Sequence, residues 1–194
     1  MQILPTRLSG PVLIEPAVHR DDRGFFCETY RREWHLAAGI PEHDQFVQDN
    51  HSRSSRGVVR GMHFQVGEGV AKLVRCSRGQ ILDVVVDLRR GSPTYGDWEG
   101  FELDDVSMRA LYVPVGFAHG FCVLSQVADV AYKQTRYYDG AVERGIAWDD
   151  PEIAIGWPQD IELSVSPRDA DAPRLGEIAQ ELPFVYDEGG TAQS

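Results

Sequence analysis

The sequence predicts a mainly-β fold, a β-sandwich, barrel or jelly roll, and three observations carry that reading. Short apolar runs rich in β-branched residues recur at close spacing, each ended by Gly, Pro, Ser or Asp. Helical signal is confined to two short stretches. No internal repeat, low-complexity block or Gly/Ser linker divides the 194 residues, a length suited to one domain. The organisation expected is a single domain over 1–194. Its barrel core spans about 11–160, and an acidic, proline-punctuated covering segment spans about 161–194.

Taken in order, residues 30–38 form the first helical candidate, with Gly39 placed to end it. Residues 70–76 alternate partly between apolar and polar side chains and meet the turn Ser77-Arg78-Gly79. Residues 81–88 follow as a β-branched run closed by Arg90-Gly91-Ser92-Pro93, so the two runs read as a hairpin. Residues 109–113 before Pro114, then 120–124 and 127–132, continue the strand rhythm. A second short helix is expected over 175–182.

Hydrophobic residues make up 42% and charged ones 25%, an ordinary globular composition. The formal charge of −11 argues against a nucleic-acid binder, which needs a basic face to collect phosphates. No apolar run approaches the roughly 18 residues of a membrane span, and the first five residues lack the charged start of a signal peptide. Cys27, Cys76 and Cys122 are scattered without metal spacing, which suits a reducing compartment; the expected location is cytoplasmic. The charge is uneven. Residues 19–75 carry nine basic and eight acidic groups, whereas 149–194 carry two and eleven. A pocket built from the first stretch is expected to have the opposite sign to the surface. Only two of the 19 basic residues are lysines, Lys72 and Lys133.

The densest chemistry lies in Arg60-Gly61-Met62-His63-Phe64-Gln65. On a strand Met62 and Phe64 share one face and His63 the other, so a packed Met62 and Phe64 aim His63 at a cavity. A histidine there serves as a base because its ordinary pKa is about 6.5; a hydrogen-bonded structural histidine fits the same pattern. Pro114-x-Gly116-x-x-His119 is similar to the second signature of the cupins, whose histidine often binds metal. The first signature lacks its His-x-His, since Gln65 stands where a second histidine is needed, so no metal is expected. His119 reads better as a polar contact to substrate. Lys72 in a strand suits an oxyanion or an exposed edge, and Tyr132 suits a proton donor or ordinary strand packing. Asp169 in Ser166-Pro167-Arg168-Asp169 reads locally as a cap or turn residue.

Together these stretches resemble the dTDP-4-dehydrorhamnose 3,5-epimerase family. The likeness runs through Asp22-Arg23-Gly24-x-Phe26-x-Glu28, Gln48-x-Asn50-x-Ser52, the Arg60–Gln65 stretch and Lys72-Leu73-Val74-Arg75. It continues through Asp83-Val84-x-Val86-Asp87-x-Arg89, the Pro114-to-Phe121 stretch, Tyr132-Lys133, Glu143-Arg144-Gly145 and Ser166-x-Arg168-Asp169. These pieces keep family order over about residues 11–175. The resemblance implies a cupin-like jelly roll, a homodimer and no cofactor or metal. It implies that His63 is the general base with Asp169 as its partner, Tyr132 the general acid, and Lys72 the cation near the C4 oxygen. By the same likeness Arg23, Glu28, Gln48, Asn50, Arg60, His119, Tyr138, Glu143 and Arg168 contact a dTDP-4-keto-6-deoxysugar.

The reaction implied is inversion at C3 and C5 of that sugar. A monofunctional 3- or 5-epimerase is the alternative. Met62 and Phe64 stand where the family commonly has Leu and Tyr, Val115 where many members carry Glu, and Gly140 where Pro is frequent.

Overall fold

A computed structural model describes residues 1–187 and shows two antiparallel sheets whose inner faces pack together. The first part of the chain gives β1 (Gln2–Leu4), β2 (Val12–Glu15), β3 (Val18–Asp21), β4 (Gly24–Cys27) and α1 (Arg32–Ala37). Then come β5 (Gln48–Ser55), β6 (Val59–Gln65), β7 (Lys72–Arg78), β8 (Gln80–Asp87) and β9 (Trp98–Asp104). The remainder is β10 (Ala110–Val113), β11 (Phe117–Val123), β12 (Val127–Gln134), β13 (Glu143–Gly145), α2 (Pro167–Ala170) and α3 (Leu175–Ile178). One sheet has the order β1-β2-β10-β7-β12-β5, the other β13-β6-β11-β8-β9, and β3 pairs with β4 as a separate ribbon. This architecture falls in the class that the strand rhythm predicts and is the cupin-like jelly roll that the resemblance implies.

The two runs read as a hairpin are not one. β7 pairs with β10 and β12, whereas β8 pairs with β11 and β9, so the chain changes sheets at the turn. Alternation reports which face of a strand is buried; it does not report the neighbour. Gly79 sits at the crossing with φ 79°, and a Cβ there would run into Ser125 and the Val127 carbonyl. The second helix also falls short of expectation, stopping at Ile178 rather than 182.

The inter-sheet core draws Val74 and Leu111 from one sheet and Ile81, Val85 and Phe121 from the other, all buried. Each such side chain contributes roughly 1.5–3 kcal/mol over its exposed state. The second sheet is buried on its outer face as well. Trp157, Leu175, Leu182 and Phe184 of the C-terminal region pack there against Met62, Phe64, Val84 and Val86. Double coverage explains why β11 is buried at all seven positions and why β8 reads as a nearly continuous apolar run. Residues 188–194 of the expected covering segment lie outside the described residues.

Candidate active site

A cavity of about 450 Å³ opens between the sheets, roofed by residues 164–169. Its centre is set where β6 and β11 come unusually close. Gly61 has φ 140°, and a Cβ on it would lie 2.6 Å from the Gly120 Cα, so neither strand tolerates a side chain at the crossing. That approach makes His63 and His119 direct cross-strand partners, with their side chains on the cavity wall. Met62 and Phe64 are buried on the opposite face, as the alternation requires.

Asp169 reaches His63 across more than a hundred residues of chain. Ser166 caps the short α2, its Oγ accepting the Asp169 N–H at 3.1 Å, and the turn delivers the carboxylate inward. His63 Nε2 donates to Asp169 Oδ1 at 2.7 Å, and the Gly61 N–H donates to Oδ2 at 3.3 Å. Burial pushes the Asp169 carboxyl up, but the His63 hydrogen bond and charge, with the Gly61 and Ser166 bonds, hold it below the ordinary carboxylate value. The ring keeps Nδ1 for the cavity, and the His63 side chain remains 25% exposed.

On the facing sheet, Lys72 opens β7 and Tyr132 lies on β12. Lys72 is buried, and among the described residues no side chain accepts a hydrogen bond from its ammonium. Desolvation lowers its pKa, partly offset by the Glu143 and Asp83 carboxylates. Tyr132 is raised above the ordinary phenol value, first by burial and then by Glu143, so it stays protonated at neutral pH.

The other lining groups form linked pairs. His119 Nε2 donates to Asp83, with both carboxylate oxygens at 3.0 Å. Arg168 holds Glu143 at 2.7 Å and is also hydrogen-bonded to Tyr138. Arg60 donates from Nε to Ser54 Oγ at 3.0 Å. The lining carries three cations, Arg60, Lys72 and Arg168, against two carboxylates, Glu143 and Asp169. The expected reversal of sign is therefore a small excess rather than a strongly basic pocket. Both carboxylates are already engaged, which leaves Arg60 and Lys72 without a carboxylate partner.

Four expected contacts lie off the cavity wall. Gln48 and Asn50 are one step behind it, tied to Gln134, whose Oε1 accepts from Asn50 at 2.7 Å and from Gln48 at 3.3 Å. Gln48 Oε1 also accepts the Tyr138 N–H. Arg23 and Glu28 stand outside, Arg23 in the β3–β4 turn paired with Asp21 and Glu28 beyond β4 paired with Arg31. Val115 packs between the outer hydrophobic clusters, against Gly69, and does not line the cavity. Gly140 does bear on it, because a Cβ there would touch the Tyr138 hydroxyl at 3.4 Å.

Sequence reasoning missed Gln134, Asp83 as the holder of His119, and Ser52 as a lining residue whose Oγ is buried without a partner. A usable signal existed for Asp83, an acid set inside an apolar β-branched run. Among the described residues no three His, Cys, Asp or Glu side chains converge as metal ligands, and the two cavity histidines, His63 and His119, are each tied to a single carboxylate.

The dTDP-4-dehydrorhamnose 3,5-epimerase family model matches residues 5–177. The chain belongs to that family. It is 52% identical over 162 residues to the dTDP-4-dehydrorhamnose 3,5-epimerase of Pseudomonas aeruginosa, covering 81% of this chain and 88% of the relative. It is 48% identical to the dTDP-4-dehydrorhamnose 3-epimerase of Streptomyces niveus, covering 91% and 85%. Among solved structures, it superimposes on the dTDP-6-deoxy-D-glucose-3,5-epimerase of Legionella pneumophila, solved with dTDP-4-keto-L-rhamnose. That match has a TM-score of 0.90 and 44% identity, over 96% of this chain and 98% of the other.

Proposed function

We propose that this protein is an isomerase that inverts C3 and C5 of dTDP-4-dehydro-6-deoxy-D-glucose, giving dTDP-4-dehydro-L-rhamnose. The observation that carries the reading is the facing of His63 on one sheet by Tyr132 on the other across a single cavity, with Lys72 beside them. A C4 ketone acidifies the hydrogens on both neighbouring carbons. His63 takes such a proton at Nδ1, the C–H electron pair becomes the enolate double bond, and the negative charge settles on the C4 oxygen. The Lys72 ammonium, without a side-chain acceptor among the described residues, stabilises that oxygen. Tyr132 then gives its phenolic proton to the carbon from the opposite face; the imidazolium releases its proton to solvent and the phenolate regains one, so the cycle can repeat at the second carbon. Inversion needs donor and acceptor on opposite sides of the ring, which two facing sheets provide. Asp169 favours the imidazolium formed on His63.

Arg60, His119, Tyr138, Glu143 and Arg168 then hold sugar, diphosphate and nucleotide. Of the remaining expected contacts, Gln48 and Asn50 back the cavity wall through Gln134, whereas Arg23 and Glu28 lie off it. A homodimer is part of the proposal. Its support is the exposed apolar surface of the β3–β4 ribbon, where Phe25 is 51% and Phe26 66% exposed beside Arg23. Cytoplasmic residence is proposed from three free, scattered cysteines; among the described residues no helix is long and apolar enough to cross a membrane.

The Streptomyces niveus relative keeps a second reading in play, a 3-epimerase acting on the same type of substrate. Product analysis by NMR after incubation with dTDP-4-dehydro-6-deoxy-D-glucose tests the proposal. An L-configured product supports it, and a product inverted at C3 alone replaces it with the second reading. Light scattering tests the dimer: the wild type is expected at twice the chain mass, and Phe25→Asp with Phe26→Asp at the monomer mass.

A further inference from the structure

Beside His63 and Asp169 lies a second histidine–carboxylate pair, more deeply buried than the first. His119 faces His63 directly across β6 and β11, and Asp83 comes from β8, the next strand over. The Asp83 side chain has no exposure and that of His119 has 8%, against 5% for Asp169 and 25% for His63. Both Asp83 oxygens lie 3.0 Å from the same nitrogen, and among the described residues nothing else donates to that carboxylate through a side chain. A buried carboxylate with so little compensation is costly, so its retention inside an apolar strand calls for an explanation.

Across the cavity, on the facing sheet, lies Lys72, a buried residue whose ammonium has no side-chain acceptor among the described residues. We propose that Asp83 is a positioning residue, which fixes His119 through Nε2 and sets a buried negative charge behind the cavity that Lys72 and His119 both line. A carboxylate only accepts, so the His119 ring donates from Nε2 and presents Nδ1 to the substrate. The role of Lys72 as the cation at the C4 oxygen is that of the preceding section, and this inference rests on it. Groups on other elements also face the ammonium. Glu143 on β13 acts in the same direction as Asp83 but is held by Arg168, and Asp169 is held by His63. Arg60 and His63 on β6 and Tyr132 on β12 complete the surroundings, and none of them is a free anion. Asp83 lies one step behind the lining, and its side-chain contact is to His119, a cavity-lining residue.

The two-lysine composition makes the test direct, because protein labelled in its lysine side chains gives NMR signals from Lys72 and Lys133 alone. In Asp83→Asn the Lys72 signal is expected to titrate at lower pH than in the wild type, with Lys133 unchanged. The alkaline limb of the pH–rate profile moves the same way, and kcat falls by roughly 10–100-fold at an unchanged melting temperature. A folded Asp83→Asn protein with an unmoved Lys72 titration and alkaline limb overturns the inference. A wild-type measurement covers the case in which that variant does not fold. Nitrogen NMR of His119 is expected to show the proton on Nε2, and a neutral ring protonated only on Nδ1 overturns the tether. Neither titration needs substrate. Absence of turnover in the wild type would count against the proposed reaction, while these two readings still decide the role of Asp83.

Discussion

Two buried charge clusters divide this molecule between structure and chemistry. At the end of β8, Asp87 and Arg89 form a closed unit. Arg89 donates to both Asp87 oxygens at 2.9 and 2.8 Å, Ser92 and Thr94 add hydroxyl bonds, and the Ser9 carbonyl takes a further Arg89 donor. The guanidinium is stacked between Phe117 and Tyr186, at 4.5 and 5.0 Å. Burial pushes the Asp87 carboxyl up, yet these bonds hold it below its ordinary value. At the cavity the charges are left open: among the described residues no side chain accepts from Lys72, and His63 and His119 each spend one nitrogen on a carboxylate. A buried charge satisfied on every side locks the fold. One left with a free valence facing a cavity is held ready for a ligand.

Breaking the open cluster should remove chemistry and spare the fold. His63→Ala is expected to lose about 10²–10⁴-fold in the rate of proton exchange, with little change in melting temperature. Breaking the closed cluster should do the reverse. Arg89→Ala leaves Asp87 buried and unpaired and should cost about 3–5 kcal/mol in denaturant unfolding, and any surviving folded fraction should turn over substrate normally. Lys72→Met sharpens the contrast further. It should reduce activity by roughly 10²–10³-fold and raise stability by roughly 0.5–2 kcal/mol, because it removes a desolvated charge whose burial the nearby carboxylates offset only in part. A loss of stability would mean that Lys72 belongs with the closed type.

Smaller effects follow from pH. Asp169 has a depressed folded pKa, so its contribution is present above the ordinary carboxylate value and is lost as pH falls through the folded one. Asp169→Asn should flatten that acid limb in unfolding measurements. His35 is a weaker case. Burial depresses its pKa, its Nδ1 donates to the Arg31 carbonyl, and its buried Nε2 has no partner among the described residues. The stability it lends is present above the ordinary imidazole value and fades as pH drops below it. His35→Phe, which keeps a ring against Tyr30 and Phe46, should lessen that loss.

Much of this division was legible in the sequence, though unevenly. The strand rhythm gave the fold class, and the alternation around Met62 and Phe64 correctly aimed His63 at a cavity. The failed hairpin at Gly79 marks a limit: periodicity resolves faces, and sheet membership depends on partners distant in the chain. Asp169 shows the same limit at the site. Locally it belongs to a capped turn, and only the closing of residues 164–169 over the cavity brings it to His63. Gln134 was invisible because an amide at a strand end has no periodic signature. Asp83 was visible, as a charge in an apolar run, but nothing local told whether it closed a cluster, as Asp87 does, or held one open.

The most direct test of the open cluster is proton exchange in heavy water, followed by NMR at the two carbons flanking the ketone. The wild-type protein is expected to introduce deuterium at both C3 and C5 of dTDP-4-dehydro-6-deoxy-D-glucose, and His63→Ala at neither above background. Labelling at one carbon alone would contradict inversion at both centres, and unchanged labelling by His63→Ala would contradict the assignment of the base.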